Sequence, residues 1–363
     1  MPDFLGVGII GFGDGGQSNF KALTRPTITE SRSKIIAICD TNTERMVENV
    51  PRGHEFELYT DAKKIAQNGD IHLVIVATPD HEHVEVTKLM LEAGKYVFVE
   101  KPVATTYNDL DYMAELNRRY PGKILFSEKY SFVGPVQAAL QHRKELGEFM
   151  TGSTSYTMRK CDRIMGDGKW RTESAYNPVA GGLSHNFMTL LLFIGAPITE
   201  VCAIGQVLTY HENLARHGGF DTVRGMLRFA NKAIVSFDIN LAIQNMTSPY
   251  AHRTVTHNLQ FRNGSLAYGP TPESDQLIVG EFDGVPHYPR FSAEPAEKDW
   301  GLYNLGTLYG SMWDNVLDAV HNGTAPLHTI GHGINVAAAC IAAFMSAKEL
   351  GKWSHVSHSH RTL

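Results

Sequence analysis

The chain has 363 residues, 33 lysines plus arginines against 38 aspartates plus glutamates, and a formal charge of −5. That length allows two domains, and the charge gives no electrostatic reason to expect nucleic-acid binding. Four scattered cysteines with no C-x-x-C pair argue against a disulfide scaffold or zinc–thiolate centre and suit reduced thiols in the cytoplasm; no uninterrupted apolar stretch of spanning length and no leader pattern is present, so no membrane association is expected.

The N-terminal third alternates two kinds of pattern. Leu5–Ile10, Lys34–Cys39, His72–Ala77 and Tyr96–Glu100 are β-rich apolar runs. Gln17–Leu23, Thr43–Asn49, Ala62–Gln67 and Glu82–Ala93 carry helical spacing, the last with Gly94 as its stop signal. A helix over Tyr107–Tyr120 and a strand over Ile124–Ser127 close the region. Alternation of this kind predicts a doubly wound parallel sheet that binds its ligand at the carboxyl ends of the strands.

After about residue 127 the pattern changes. A helix near Gly134–Leu146 precedes strand-like segments near Gly152–Met158, Glu200–Thr209, Thr222–Phe229, Ala233–Leu241 and Thr254–Phe261, with Asn231-Lys232 as a hairpin turn. Helical patterns return at Phe187–Ile194, Met312–His321 and Gly333–Leu350, and Gly269–Asp299 reads as a long surface excursion. The fold class is therefore α/β, with an N-terminal Rossmann domain over 1–127. An α+β domain with a large, mostly antiparallel open sheet covers 128–363, its C-terminal helix free to pack back on the first domain.

Within the first domain, Gly11, Phe12, Gly13 and Gly16 lie in a G-x-G-x-x-G turn between the first strand and helix. Its glycines allow a tight turn, close approach of a pyrophosphate, and close packing of helix on strand. Asp40 ends the second strand where a carboxylate can hold the adenosine ribose and repel a 2′-phosphate; Thr41 follows where an arginine would favour NADP. The expected cofactor is NAD, with NADP less favoured. Ala77-Thr78-Pro79, with His81 just beyond, and Glu100-Lys101-Pro102 end the next two strands and belong beside the cofactor on the same edge. The chain has seventeen histidines, and His81-Glu82-His83 and the tail His355, His358 and His360 are the densest groups. Neither shows a third ligand at metal-binding spacing, so no metal site is expected.

These turns, together with Gly181-Gly182-Leu183-Ser184-His185-Asn186-Phe187 and the helix over Ala337–Gly351, resemble the Gfo/Idh/MocA oxidoreductases, the group of glucose–fructose oxidoreductase and inositol dehydrogenase. The resemblance implies hydride transfer between NAD(P) and a sugar, cyclitol or sugar derivative, with Lys101 and His185 as the catalytic residues. It also implies a homodimer or homotetramer built on the sheet's exposed face. One departure stands out. The family usually carries an aspartate four residues before the histidine and often another three after it, where this chain has Gly181 and Met188. Asp162, Asp167 and Glu173 are candidate replacements, and Tyr130, Arg159, Trp170 and Asn186 are candidate substrate contacts. The departure keeps two alternatives open: an NAD-dependent glycosidase that oxidises transiently and eliminates, and a non-catalytic NAD(H)-binding sensor.

Overall fold

A computed structural model describes residues 4–24, 32–50, 55–159, 178–209, 214, 218–243, 253–269, 276–279 and 305–356. The chain forms two compact units. One takes the segment through Glu128 together with Gly306–Ile334; the other takes Lys129–Leu305 with Asn335–Ser357. The expected cut at 127/128 lies beside the first crossing, and the second segment of the first unit comes from the C-terminal third.

The first unit is built on β1 (Leu5–Ile10), β2 (Ser33–Cys39), β3 (Glu57–Tyr59), β4 (Leu73–Val76), β5 (Tyr96–Val99) and β6 (Ile124–Phe126), with α1 (Asp14–Leu23), α2 (Thr43–Asn49), α3 (Ala62–Gln67), α4 (His83–Glu92) and α5 (Tyr107–Arg119) between them. All pairings are parallel, in the order β3-β2-β1-β4-β5-β6. This is the order of a Rossmann fold, with its ligand crevice where the order reverses between β1 and β4. Every residue of β1 and β4 is buried, as expected of strands covered by helices on both faces. Two details depart from the expected pattern. α1 starts at Asp14 rather than Gln17, because the helix begins directly after Gly13. β3 escaped detection because it is three residues long and lies on the sheet edge.

The second unit opens with α6 (Gly134–Gln141) and α7 (Arg143–Leu146), which interrupt the single helix expected over Gly134–Leu146 at His142. There follow β7 (Phe149–Arg159), α8 (Pro178–Ile194), β8 (Ile198–Gln206), β9 (Thr222–Phe229), β10 (Ile234–Ile243), β11 (Arg253–Phe261), β12 (Gly264–Tyr268) and β13 (Gln276–Val279). Near the end of the chain come α9 (Leu305–Asn322), which from Gly306 on belongs to the first unit, α10 (Ile330–Lys348), which is divided between the units after Ile334, and β14 (Ser354–His355) of the second unit. Eight strands form one sheet in the order β13-β12-β11-β7-β10-β9-β8-β14, antiparallel except for β7 beside β10. The β9–β10 hairpin turns at Asn231-Lys232, with Lys232 at φ 71°. β13 is a correction to the expected excursion over Gly269–Asp299: residues 276–279 pair with β12, and the remainder beyond Gly269 lies outside the described residues. β12 was unexpected because its five residues sit just past the Arg262-Asn263 turn.

One face of this sheet is the core of the second unit. Tyr156 of β7 lies between Ile239 and Val255, and Thr154 between Phe237 and His257, all pointing to the side covered by α8. Phe187 of α8 meets the Phe237 ring edge-on at 5.2 Å. The opposite face carries exposed Met150, Ile204, Met226 and Ile234 and a shallow cavity of about 390 Å³ lined by Cys202, Ile204, Arg224 and Met226 among others. α10 has the length and mean hydropathy, 1.5, of a membrane-crossing helix, but it is mostly buried and its His332, Asn335 and Ser346 break the apolar run.

Candidate active site

At the carboxyl edge of the first sheet, three turns come together. Gly11 adopts φ 87°, and a Cβ there would overlap the Ala77 carbonyl; one on Gly16 would overlap the Gly11 carbonyl. Both positions are thus restricted to glycine by backbone they touch. No described atom stands within 4 Å of a Cβ on Gly13, so this side of the turn is open. Gly13 is also the N-cap of α1 and provides no side-chain cap, which leaves first-turn N–H groups for an anion.

Asp40 is buried at the end of β2. Its Oδ2 accepts the Phe12 N–H at 2.6 Å and its Oδ1 accepts the Asn42 N–H at 2.8 Å, which ties the glycine turn to the acid. Arg45 of α2 places Nη1 3.3 Å from the same Oδ2. The neighbouring Cys39 thiol is pushed up to about 11 by burial first and then by the charges of Asp40 and Asp61, so it stays protonated at neutral pH. Thr41 is exposed beside Asp40.

Two buried side chains lock the other two turns. His83 turns Nδ1 to the Pro102 carbonyl at 2.8 Å and Nε2 to the Thr78 carbonyl at 3.1 Å, bridging Ala77-Thr78-Pro79 and Glu100-Lys101-Pro102. It is engaged by backbone on both nitrogens, whereas His81 is exposed and 3.9 Å from Glu82. Asn19, fully buried on α1, donates from Nδ2 to Glu100 Oε1 at 2.7 Å and to the Gly15 carbonyl at 3.0 Å. Its Oδ1 accepts the Trp313 indole N–H from α9 at 3.0 Å. Glu100 Oε2 in turn accepts the Lys101 N–H at 3.3 Å. A run of four groups therefore extends from α9 to the lysine turn.

His185 lies on α8 of the second unit and is buried. The Tyr156 ring stacks on it at 5.7 Å and 21°, and Tyr130 meets it edge-on at 4.8 Å. Gly182 permits this packing: a Cβ there would press on Ile239 and Tyr156. Asn186, expected to face substrate, is turned into the helix–sheet seam, where Nδ2 donates to Thr154 Oγ1 and, at 2.9 Å, to the Ser155 carbonyl. Its fixed side is set by the helix, since residues 185 and 186 leave α8 about 100° apart. Behind it, Thr154 Oγ1 also meets His257 Nδ1 at 2.9 Å, and complete burial depresses His257 to about 3. At Gly181 no described atom lies within 4 Å of a Cβ position, and Met188 is fully buried. Trp170, Asp162, Asp167 and Glu173 lie outside the described residues, as does the side chain of Arg159. Among the described residues no three histidine, cysteine, aspartate or glutamate side chains are grouped to hold a metal.

Sequence reasoning missed Asn19, His83, Arg45, Tyr156 and Trp313. Asn19 was detectable as a polar residue in the stripe Gly16, Asn19, Phe20 and Leu23, where burial demands a partner. His83 sits likewise in the buried stripe with Thr87, Met90 and Leu91.

Comparison with known proteins places the chain in context. Residues 5–127 match the model of the Gfo/Idh/MocA oxidoreductase family, NAD-binding Rossmann fold. A 1-carboxy-3-chloro-3,4-dihydroxycyclohexa-1,5-diene dehydrogenase of Comamonas testosteroni is 24% identical over 249 residues, 68% of this chain and 58% of that protein. Levoglucosan dehydrogenase of Pseudarthrobacter phenanthrenivorans is 25% identical over 275 residues, 64% of this chain and 67% of its own. The crystal structure of scyllo-inositol dehydrogenase from Lactobacillus casei, with bound NAD(H) and scyllo-inositol, superposes with a TM-score of 0.75 at 17% identity, over 97% of this chain and 99% of that one.

The residues fit a dinucleotide. The uncapped start of α1, the open side of Gly13 and the Asp40 carboxylate supply the phosphate and ribose contacts such a molecule needs. Thr78 Oγ1, in the adjoining turn, is buried with no hydrogen-bond partner among the described residues.

Proposed function

We propose that the chain, whose residues 5–127 match the Gfo/Idh/MocA oxidoreductase family model, is an NAD(H)-dependent dehydrogenase or reductase acting on a CH–OH group of a sugar, cyclitol or sugar derivative. The observation that carries this reading is the hydrogen bond from the Phe12 N–H to Asp40, which joins the glycine turn to the ribose-binding acid. Gly11, Phe12, Gly13, Gly16, Asp40 and Thr41 hold the adenosine and pyrophosphate end, and Ala77, Thr78, Pro79, His81, Glu100 and Lys101 the nicotinamide end. Asp40 favours NAD over NADP by accepting the 2′-hydroxyl. The names of the relatives, dehydrogenases of ring diols and anhydrosugars, support the substrate class.

When bound, the nicotinamide supplies the hydride acceptor or donor. The chain's own residues handle charge and proton. A carbinol gives up hydride only as its hydroxyl proton leaves, and an unprotonated imidazole nitrogen of His185 takes that proton, an assistance of about 10² to 10⁴ in rate. The Lys101 ammonium stabilises the developing alkoxide. Tyr156 and Tyr130 hold the imidazole plane between them. The buried Cys39 and Cys340, neither of them in a disulfide, agree with a reducing, cytoplasmic setting. The exposed apolar face of the eight-stranded sheet supports a homodimer or homotetramer.

The test is NADH formation, followed by ultraviolet absorbance, with NAD and a panel of cyclitols, sugars and anhydrosugars. Turnover of at least one polyol by the unmodified chain, abolished in Lys101→Ala, is the expected result. No turnover with any member, while NADH still binds, refutes the dehydrogenase reading.

A further inference from the structure

The acid that ends β2 is not the lone charge a 2′-phosphate would meet. Arg45 stands in the first turn of α2 with its side chain 44% exposed, and its guanidinium pairs with an Asp40 that is only 6% exposed. A carboxylate has about four lone-pair sites. The Phe12 and Asn42 N–H groups and Arg45 take up three of those on Asp40, two of them on Oδ2. The two backbone donors belong to the fold and stay. Arg45, on a flexible stem, is the donor that can leave.

Charge points the same way. An isolated carboxylate rejects a 2′-phosphate because two anions meet; here the acid and the guanidinium form a neutral pair. Asp61 adds a second negative charge at Cys39, and Glu44 shares the first turn of α2 with Arg45, so the Arg45 guanidinium offsets negative charge gathered at the end of β2. Its planar fork suits a phosphate bidentately, and an arginine near this acid is the general means by which a Rossmann site accommodates a 2′-phosphate.

We propose that Arg45 broadens cofactor choice: it neutralises Asp40 and turns its exposed guanidinium onto a 2′-phosphate, so that the chain binds NADP(H) as well as NAD(H). The proposal rests on the nucleotide reading of the first unit and concerns how far the preference for NAD extends.

Calorimetric titration of the full chain with NADH and with NADPH tests it. The expected wild-type result is NADPH binding within about a hundredfold of NADH. Arg45→Gln is expected to shift the ratio of the two affinities about tenfold or more toward NADH, while Arg45→Lys, which keeps the charge, shifts it less. Added salt should weaken NADPH more than NADH in the wild type, and this difference should shrink in Arg45→Gln. A ratio that Arg45→Gln leaves unmoved, or a wild type that binds NADH but not NADPH, overturns the proposal. A wild type that binds neither dinucleotide overturns the nucleotide reading and the proposal with it. That failure is distinct, because the unmodified chain itself is then silent.

Discussion

The link from Trp313 through Asn19 to Glu100 is predicted to couple α9 energetically to the lysine turn. Asn19→Ala removes two donated hydrogen bonds and one accepted one from a fully buried position. Leaving the indole N–H unpaired costs about 1–3 kcal/mol, and losing the charge-assisted bond to Glu100 about 1.5–3 kcal/mol. Glu100 is partly accessible and recovers some of that by hydration, so a loss of about 3 kcal/mol is expected for the single variant. Trp313→Phe keeps an aromatic ring against Phe98, 4.8 Å away, and deletes the N–H; it should cost about 1–2 kcal/mol. Because both substitutions break the same Trp313–Asn19 bond, the double variant should be more stable than the sum of the singles predicts, by about 1 kcal/mol. Urea unfolding of the four proteins, followed by circular dichroism, measures that coupling. Additivity to within about 0.3 kcal/mol would show that the two side chains do not act through one another and would refute the argument.

Other consequences are equally direct. Asp40→Ala should weaken NADH binding by about a hundredfold or more, because charge-assisted bonds to the ribose disappear together with the anchor of the Phe12 amide; titration calorimetry decides, and unchanged affinity removes Asp40 from the site. His257 and His328 are both depressed to about 3, by burial in each case and for His328 also by His332. A base held neutral in the fold but free to protonate near pH 6.5 when unfolded gives the unfolded state the extra protons. Stability should therefore be full above pH 6.5 and fall as the pH drops from 6.5 toward 3, with a slope approaching about two protons from this pair. His257→Asn should flatten the slope measured by urea unfolding between pH 7 and 5, and an unaltered slope would contradict the assignment. If the proposed homodimer or homotetramer forms on the open face of the eight-stranded sheet, Ile204→Glu or Met226→Lys should dissociate it in light scattering. A wild type that is monomeric would show that this apolar face is not a subunit contact.

Much of the first unit was legible because its signals are local. A strand buried on both faces reads as a continuous apolar run, as Leu73–Val76 does, and a turn that demands glycine at Gly11 and Gly16 leaves a spacing in the sequence. β3 and β13 left no such trace: three or four residues are too few for a period, and their place is decided by the neighbouring strand. The reach of α8 back to Pro178 was hidden for a related reason, since adjacent glycines at 181 and 182 carry little helix propensity while the packing of Gly182 on Ile239 and Tyr156 depends on a sheet assembled from distant segments.

At the site, Lys101 and His185 were chosen through motifs, but the groups that hold the turns were not. Asn19 and Trp313 are 294 positions apart, and the Trp313 ring is also wedged against Phe98. No spacing rule connects them; a buried polar atom's need for a partner does. The same need explains His83, for which the sequence indicates no role and whose nitrogens face two backbone carbonyls. Asn186 shows the converse: adjacency to His185 in sequence does not give it the same outlook, because a helix turns successive side chains to different sides.

The measurement that tests the central claim most directly is isotope transfer. A polyol that turns over is supplied with deuterium on its reacting carbinol carbon together with unlabelled NAD, and the NADH formed is analysed by mass spectrometry. Direct hydride transfer predicts NADH that carries the substrate's deuterium in stoichiometric yield, with no label in Lys101→Ala incubations. Unlabelled NADH, or product formed with no net NADH while the label stays in the substrate pool, would contradict it and move the chain to the oxidation–elimination chemistry of an NAD-dependent glycosidase.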